Sequence, residues 1–133
     1  QSQGLLNREA IMQHCSDLSS KYDVRGPGPN ASARLLSGGN IQKLILARVF
    51  EASPKLILAN QPTRGLDLGA AAEVANRLLE ARQRGSGVVL ISEDLDEILS
   101  LSDRIMVIYD GNLRMAETHN RESLGLMMAG EIA

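Results

Sequence analysis

The chain has 133 residues, 44% of them apolar, which is enough for one modest domain with its own core and too apolar for a disordered tail. With one Phe and no Trp, that core is expected to be aliphatic. A formal net charge of -2 and a pI near 5.7 provide no basic field for nucleic acid or for an acidic membrane surface.

Cys15 is the only cysteine, so an intrachain disulfide is excluded and a thiolate metal cluster has no support, which points to a reducing, cytoplasmic compartment. The apolar runs at 56–59 and 88–91 are strand-sized and fall far short of the ~20 residues that cross a bilayer. The start, QSQGLLNREA, has neither the basic end nor the long apolar stretch of a signal peptide. It also lacks an initiator Met and an identifiable first strand, so an excised or processed piece is expected at least as much as a complete protein.

In chain order, Ile11, Cys15 and Leu18 at helical spacing predict a helix over 7–22, and the alternating Gly and Pro of RGPGPNAS at 25–32 then stop regular structure. Ile41, Leu44, Ile45, Arg48 and Val49 mark one side of a helix running to about Ala52, ended by Ser53-Pro54. Residues 55–60 predict a buried strand and QPTRGLD a turn-rich loop. A helix over 70–84 turns Val74, Ala75, Leu78 and Leu79 inward, with Gly85 placed to end it in a left-handed conformation. A second apolar strand at 88–92 flows into a short helix at 94–101 whose first turn is acidic, as a helix dipole prefers. Strands at 105–109 and 113–117 flank the turn DGN and predict a hairpin, and 121–128 a terminal helix. Short continuous apolar strands alternating with helices predict an α/β fold, mostly a parallel sheet flanked by helices, with the C-terminal hairpin as an antiparallel edge.

LSGGN at 36–40 stands ahead of the second helix. Two glycines at a helix start expose N–H groups that no helical carbonyl can satisfy, and with the positive helix end and the Ser37 hydroxyl they suit an anion. The plainer alternative is a cap, with Asn40 as the N-cap residue.

LSGGN, the strand LILAN at 56–60, PTRGLD at 62–67, the strand at 88–92 with its acidic helix, and SDRIMVIYDG at 102–111 follow one another in the order and spacing of a known family. The chain resembles, over nearly its whole length, the C-terminal half of the nucleotide-binding domain of ATP-binding cassette (ABC) transporters, an incomplete P-loop NTPase fold. In that resemblance 36–40 is the signature motif, LILANQP the Walker B segment, GLD at 65–67 the D-loop, and Glu93 stands at the switch-histidine position. LSGGN, QPTRGLDLGA and ESLGLMMAG further resemble the second cassette of fused importer ATPases for simple sugars or nucleosides, leaning to the nucleoside type. Residues 1–36 are then expected to be the last part of a helical subdomain and 37–133 the C-terminal part of the ATPase core.

The resemblance implies two cassettes head to tail, with Ser37, Gly38, Gly39 and Asn40 meeting the γ-phosphate of ATP bound on the other cassette, and Asp67 at the interface between them. It implies ATP and Mg²⁺ in the full-length protein. It also implies a second cassette and transmembrane permease subunits as partners, a solute-binding protein indirectly, and a peripheral place on the cytoplasmic face of the inner or plasma membrane. No nucleic acid and no protein-bound metal of this chain's own are expected. A Gly-rich loop with Lys and Ser or Thr is missing, so this chain by itself is expected to bind ATP weakly or not at all.

Three positions depart from the family. Asn60 and Gln61 stand where an Asp for hydrated Mg²⁺ and a Glu for the attacking water are usual, and an amide cannot take a proton at neutral pH. Glu93 replaces the His that touches the γ-phosphate and would bring negative charge there. The plainer readings are a strand end for Asn60 and Gln61, an acidic helix start for Glu93, and an N-cap for Asp67. His14 and His119 are isolated and lack ligand spacing. Competing functions are a non-catalytic binding or regulatory module retaining the fold, and an ABC-type ATPase of chromosome maintenance or repair, although no long heptad coil is visible.

Overall fold

The computed structural model describes residues 6–131. Residues 1–5 and 132–133, which belong to the two expected segments 1–36 and 37–133 and to the start read for a signal peptide, lie outside the described residues.

The elements are α1 (Arg8–Lys21), a 3₁₀ turn (Ala33–Leu35), α2 (Gly38–Glu51), β1 (Leu56–Asn60), α3 (Leu68–Gln83), β2 (Gly87–Ile91), α4 (Leu95–Leu101), β3 (Met106–Tyr109), β4 (Asn112–Met115) and α5 (Arg121–Ala129). Local chemistry sets the ends. Asn7, Asp67, Asp94 and Asn120 each cap the following helix with a side-chain oxygen. After α3, Gly85 adopts φ 94°, its N–H donates to the Arg82 carbonyl and the Ser86 N–H to the Ala81 carbonyl, which closes the helix with both bonds of a Schellman motif. Asp23 plays the same part after α1 at φ 47°, with Val24 N–H donating to the Ser19 carbonyl at 2.8 Å.

β1 and β2 pair in parallel, Leu56 opposite Gly87 through Asn60 opposite Ile91. The connection through α3 lays that helix on one face, where Ile57 and Ala59 are buried with Val74, Leu78, Ala81, Ala47, Phe50 and Tyr22. The small aromatic share is concentrated here, since Tyr22 and Phe50 both enter a core expected to be aliphatic. Arg77 lies 4.8 Å from the Tyr22 ring centroid and donates to the Lys21 carbonyl, tying the end of α1 to α3. A second cluster joins Ile105, Val107 and Leu124 between the hairpin and α5.

The α/β class of the sequence reading holds, with three corrections. The hairpin is not an edge of the parallel sheet: among the described residues β3 and β4 pair only with each other, Met106 opposite Met115 through Tyr109 opposite Asn112. Its register leaves Met106, Ile108, Leu113 and Met115 exposed on one face, and Leu56, Leu58, Val89 and Ile91 are exposed likewise on the parallel pair. In α2 the buried side is Ala47 and Phe50, while Ile41, Leu44, Ile45 and Val49 are exposed. Both stripes are apolar at helical spacing, so periodicity had no means to choose between them. Finally, Asn40 is not the N-cap, because Ser37 occupies that position and Asn40 lies inside the first turn.

Candidate functional site

Ser37 precedes α2 with extended backbone angles, φ -66° and ψ 159°, and the first helical bond runs from the Ile41 N–H to the Ser37 carbonyl at 2.9 Å. The N–H groups of Gly38, Gly39 and Asn40 come before that bond, and no side chain caps them. Nothing stands within 4 Å of the place a Cβ would take on Gly38 or Gly39, so the backbone there is open to close approach. Ser37 Oγ is engaged differently: it accepts a hydrogen bond from the Asn40 side-chain amide at 2.9 Å.

The first turn of α2 reaches the end of β1. Gln42 Nε2 donates to the Pro62 carbonyl at 2.8 Å, immediately beyond Asn60 and Gln61. Asn60 closes β1 and is exposed. Gln61 is half-buried and holds φ 50°, a left-handed conformation that costs a non-glycine residue ~1 kcal/mol or more. Two bonds keep it there, from its N–H to the Ile91 carbonyl at 2.8 Å and from the Arg64 N–H to its carbonyl at 3.2 Å. Gly65 at φ 75° then turns the chain toward Asp67, whose Oδ1 accepts from the Ala70 N–H at 2.8 Å.

Glu93 is exposed just beyond β2, between Ser92 and the helix cap Asp94. Since Asn60 pairs with Ile91, Glu93 follows the neighbouring strand at the same carboxyl end. The fold thus gathers Asn60, Gln61 and Glu93 where two parallel strands finish, which is where open α/β sheets take ligands. Residues 37–40 approach that end through Gln42, and Asp67 starts the helix that leaves it. His14 and His119 are exposed, and Asp103 pairs with Arg82.

No protein-family model matches the chain. The nucleoside import ATP-binding protein NupA of Lactococcus lactis is 46% identical over 130 residues, 96% of this chain and 26% of NupA. The glucose import ATP-binding protein TsgD13 of Haloferax volcanii is 50% identical over 125 residues, 90% of this chain and 23% of that protein. A solved dimeric ATP-binding cassette in a post-hydrolysis state with ADP and phosphate superposes with a TM-score of 0.68 at 23% identity, covering 87% of this chain and 51% of its own. The chain belongs to the ABC ATPase family. It spans about a quarter of the length of the curated relatives it matches.

The cassette fold makes two groups, a nucleotide phosphate and a divalent cation, the ones to test against these residues. The helix mouth fits a phosphate: it offers open N–H groups and a hydroxyl, and no carboxylate belongs to the LSGGN stretch. The β1 end does not fit a cation held by this chain alone. Its side chains there are two amides and the exposed Glu93 carboxylate, and among the described residues no three His, Cys, Asp or Glu side chains gather to hold a metal. Sequence reasoning overlooked three residues around the site: Gln42, which reaches the Pro62 carbonyl, Lys43, which donates to Asp23, and Arg25, whose backbone N–H donates to Asn40 Oδ1. The signal available for the first two was their place one turn into the helix behind the signature; Arg25 carried none, because its contribution is a main-chain N–H.

Proposed function

We propose that this chain is the C-terminal part of an ATP-binding cassette, the second one of a sugar- or nucleoside-type import ATPase, and that residues 37–40 close over ATP carried by the opposing cassette. Residues 7–36 are in this reading the end of the helical subdomain. The full-length protein works with a second cassette and permease subunits at the cytoplasmic face of the membrane. The single observation that carries the reading is the uncapped start of α2, where Gly38, Gly39 and Asn40 have N–H groups that no hydrogen bond among the described residues uses, beside Ser37. A γ-phosphate placed there gains charge-assisted hydrogen bonds worth ~1.5–3 kcal/mol each.

The other face of the same cassette is read as degenerate. ATP would arrive with Mg²⁺, yet Asn60 and Gln61 supply shape and hydrogen bonds without a carboxylate, so they offer the metal no anionic ligand. Gln61 can hold a water by its amide but cannot accept its proton, and lack of a general base typically forfeits ~10²–10⁴ in rate. Glu93 adds negative charge where phosphate would lie, which a water-poor site makes unfavourable. Hydrolysis is therefore expected at the site that receives Ser37, with the site behind Asn60 and Gln61 holding nucleotide.

The same amides also favour a second reading, a non-catalytic module that uses residues 37–40 only as a subunit contact. Turnover by the full-length protein separates the two. Ser37→Arg, which fills the helix mouth, should abolish most turnover, while Gln61→Glu should raise the contribution of the silent site. No effect of either substitution refutes the division of labour, and ATP-dependent dimerisation without turnover supports the non-catalytic module.

A further inference from the structure

The segment that ends α1 is clamped onto the first turn of α2. Lys43 Nζ donates to the Asp23 carbonyl at 3.1 Å and to its Oδ2 at 2.7 Å, and Arg25 Nε donates to Asp23 Oδ1 at 2.9 Å. One turn before Lys43, the Arg25 N–H donates to Asn40 Oδ1 at 2.7 Å. A backbone N–H can only donate, so the Asn40 atom it meets is the carbonyl oxygen, and the amide NH₂ is turned to Ser37 Oγ at 2.9 Å.

That order has a chemical consequence for Ser37. A serine hydroxyl has one proton and two lone pairs, and an amide NH₂ has no lone pair to offer it. The hydroxyl therefore accepts from Asn40 and must direct its own proton elsewhere; no hydrogen bond among the described residues uses that proton. We propose that Asn40 is a positioning residue: held by the Arg25 N–H, it commits Ser37 to donate its hydroxyl proton to an anion at the mouth of α2. The proposal rests on the reading of residues 37–40 as a γ-phosphate contact, and it adds a direction to it. The donor chain runs from Arg25 to Asn40 to Ser37 to phosphate, so the loop ending α1 sets the hydrogen-bonding sense of the serine.

The test is steady-state ATP turnover of the full-length protein assembled with its membrane partners, for Ser37→Ala, Asn40→Ala and the double variant, with the melting temperature of each. Ser37→Ala is expected to lower kcat/KM by about ten- to hundredfold, the loss of one charge-assisted bond. Asn40→Ala should lower it by about three- to tenfold in the wild-type background and by less than about twofold in the Ser37→Ala background. A general structural role would make the two losses multiply, and that result overturns the proposal. Asn40→Ala at wild-type activity beside an impaired Ser37→Ala also overturns it while leaving the phosphate reading intact. A harmless Ser37→Ala removes both. Should Asn40→Ala fail to fold, Asn40→Ser, polar but too short to reach both partners, supplies the same comparison.

Discussion

Asp67 caps α3 and is proposed to act between the cassettes as well, and one pair of substitutions can tell the two roles apart. Its Oδ1 accepts from the Ala70 N–H at 2.8 Å, so it caps α3, the helix that places Val74, Leu78 and Ala81 in the larger core. Asp67→Ala leaves that N–H without its partner and should cost about 1 kcal/mol. For a domain of this size the change corresponds to a drop in Tm of roughly 3–5 °C. Asp67→Asn keeps an oxygen in the same place and loses only the charge at a helix start, so its cost should stay near ~0.3–0.5 kcal/mol. Urea denaturation followed by circular dichroism measures both. Equal stability of the Ala and Asn variants would refute the capping argument. In the full-length protein, a carboxylate acting between cassettes makes Asp67→Asn lose turnover although its fold is intact. Full turnover of Asp67→Asn reduces the residue to a cap.

Two further outcomes follow from the packing and the charge clamp. Leu124 is fully buried against Ile105 and Val107, so Leu124→Ala should cost ~2–5 kcal/mol and expose the β3–β4 amides to hydrogen exchange while β1–β2 amides stay protected; equal protection of both pairs contradicts the separate clusters. Asp23 has its pKa lowered from 3.8, first by the hydrogen bond from Lys43 and then by that from Arg25. A depressed carboxylate stabilises the fold above its unfolded value, so the clamp is complete above pH 3.8 and loosens as the pH falls through the lower folded-state value. Carboxyl titration by NMR checks this, and an Asp23 midpoint at or above the ordinary value refutes it.

Most elements were legible because their signals are local. The run LILAN, the Gly85 stop and the DGN turn each act through the backbone of a few residues, and the observed elements fall within one or two residues of most expected ends. What was misread depends on partners far away in sequence. Asn40 has the chemistry of a cap, yet Arg25 N–H at 2.7 Å takes its carbonyl, and Ser37 becomes the cap position instead. The exposed stripe of α2 looks as apolar as a core face, and it is Tyr22, β1 and α3, all distant in sequence, that form the core around Ala47 and Phe50. Tyr22 continues the helical spacing of Ile11, Cys15 and Leu18, yet of these four only Tyr22 is buried, where Arg77 from α3, far along the chain, stacks 4.8 Å from its ring centroid. The candidate site fared similarly: motif order placed Asn60, Gln61 and Glu93 at one end of the strands, while the hydrogen-bond sense of Ser37 became visible only in the folded structure.

Where Ser37 points decides the rest, and the structure of the intact assembly with ATP trapped at its cassette interface measures it most directly. Ser37 Oγ should then lie about 2.6–3.0 Å from a γ-phosphate oxygen of the nucleotide held by the opposing cassette, with Asn40 still donating to it. A trapped nucleotide whose phosphate lies beyond hydrogen-bond reach of Ser37 and of the Gly38 and Gly39 N–H groups would disprove the trans contact.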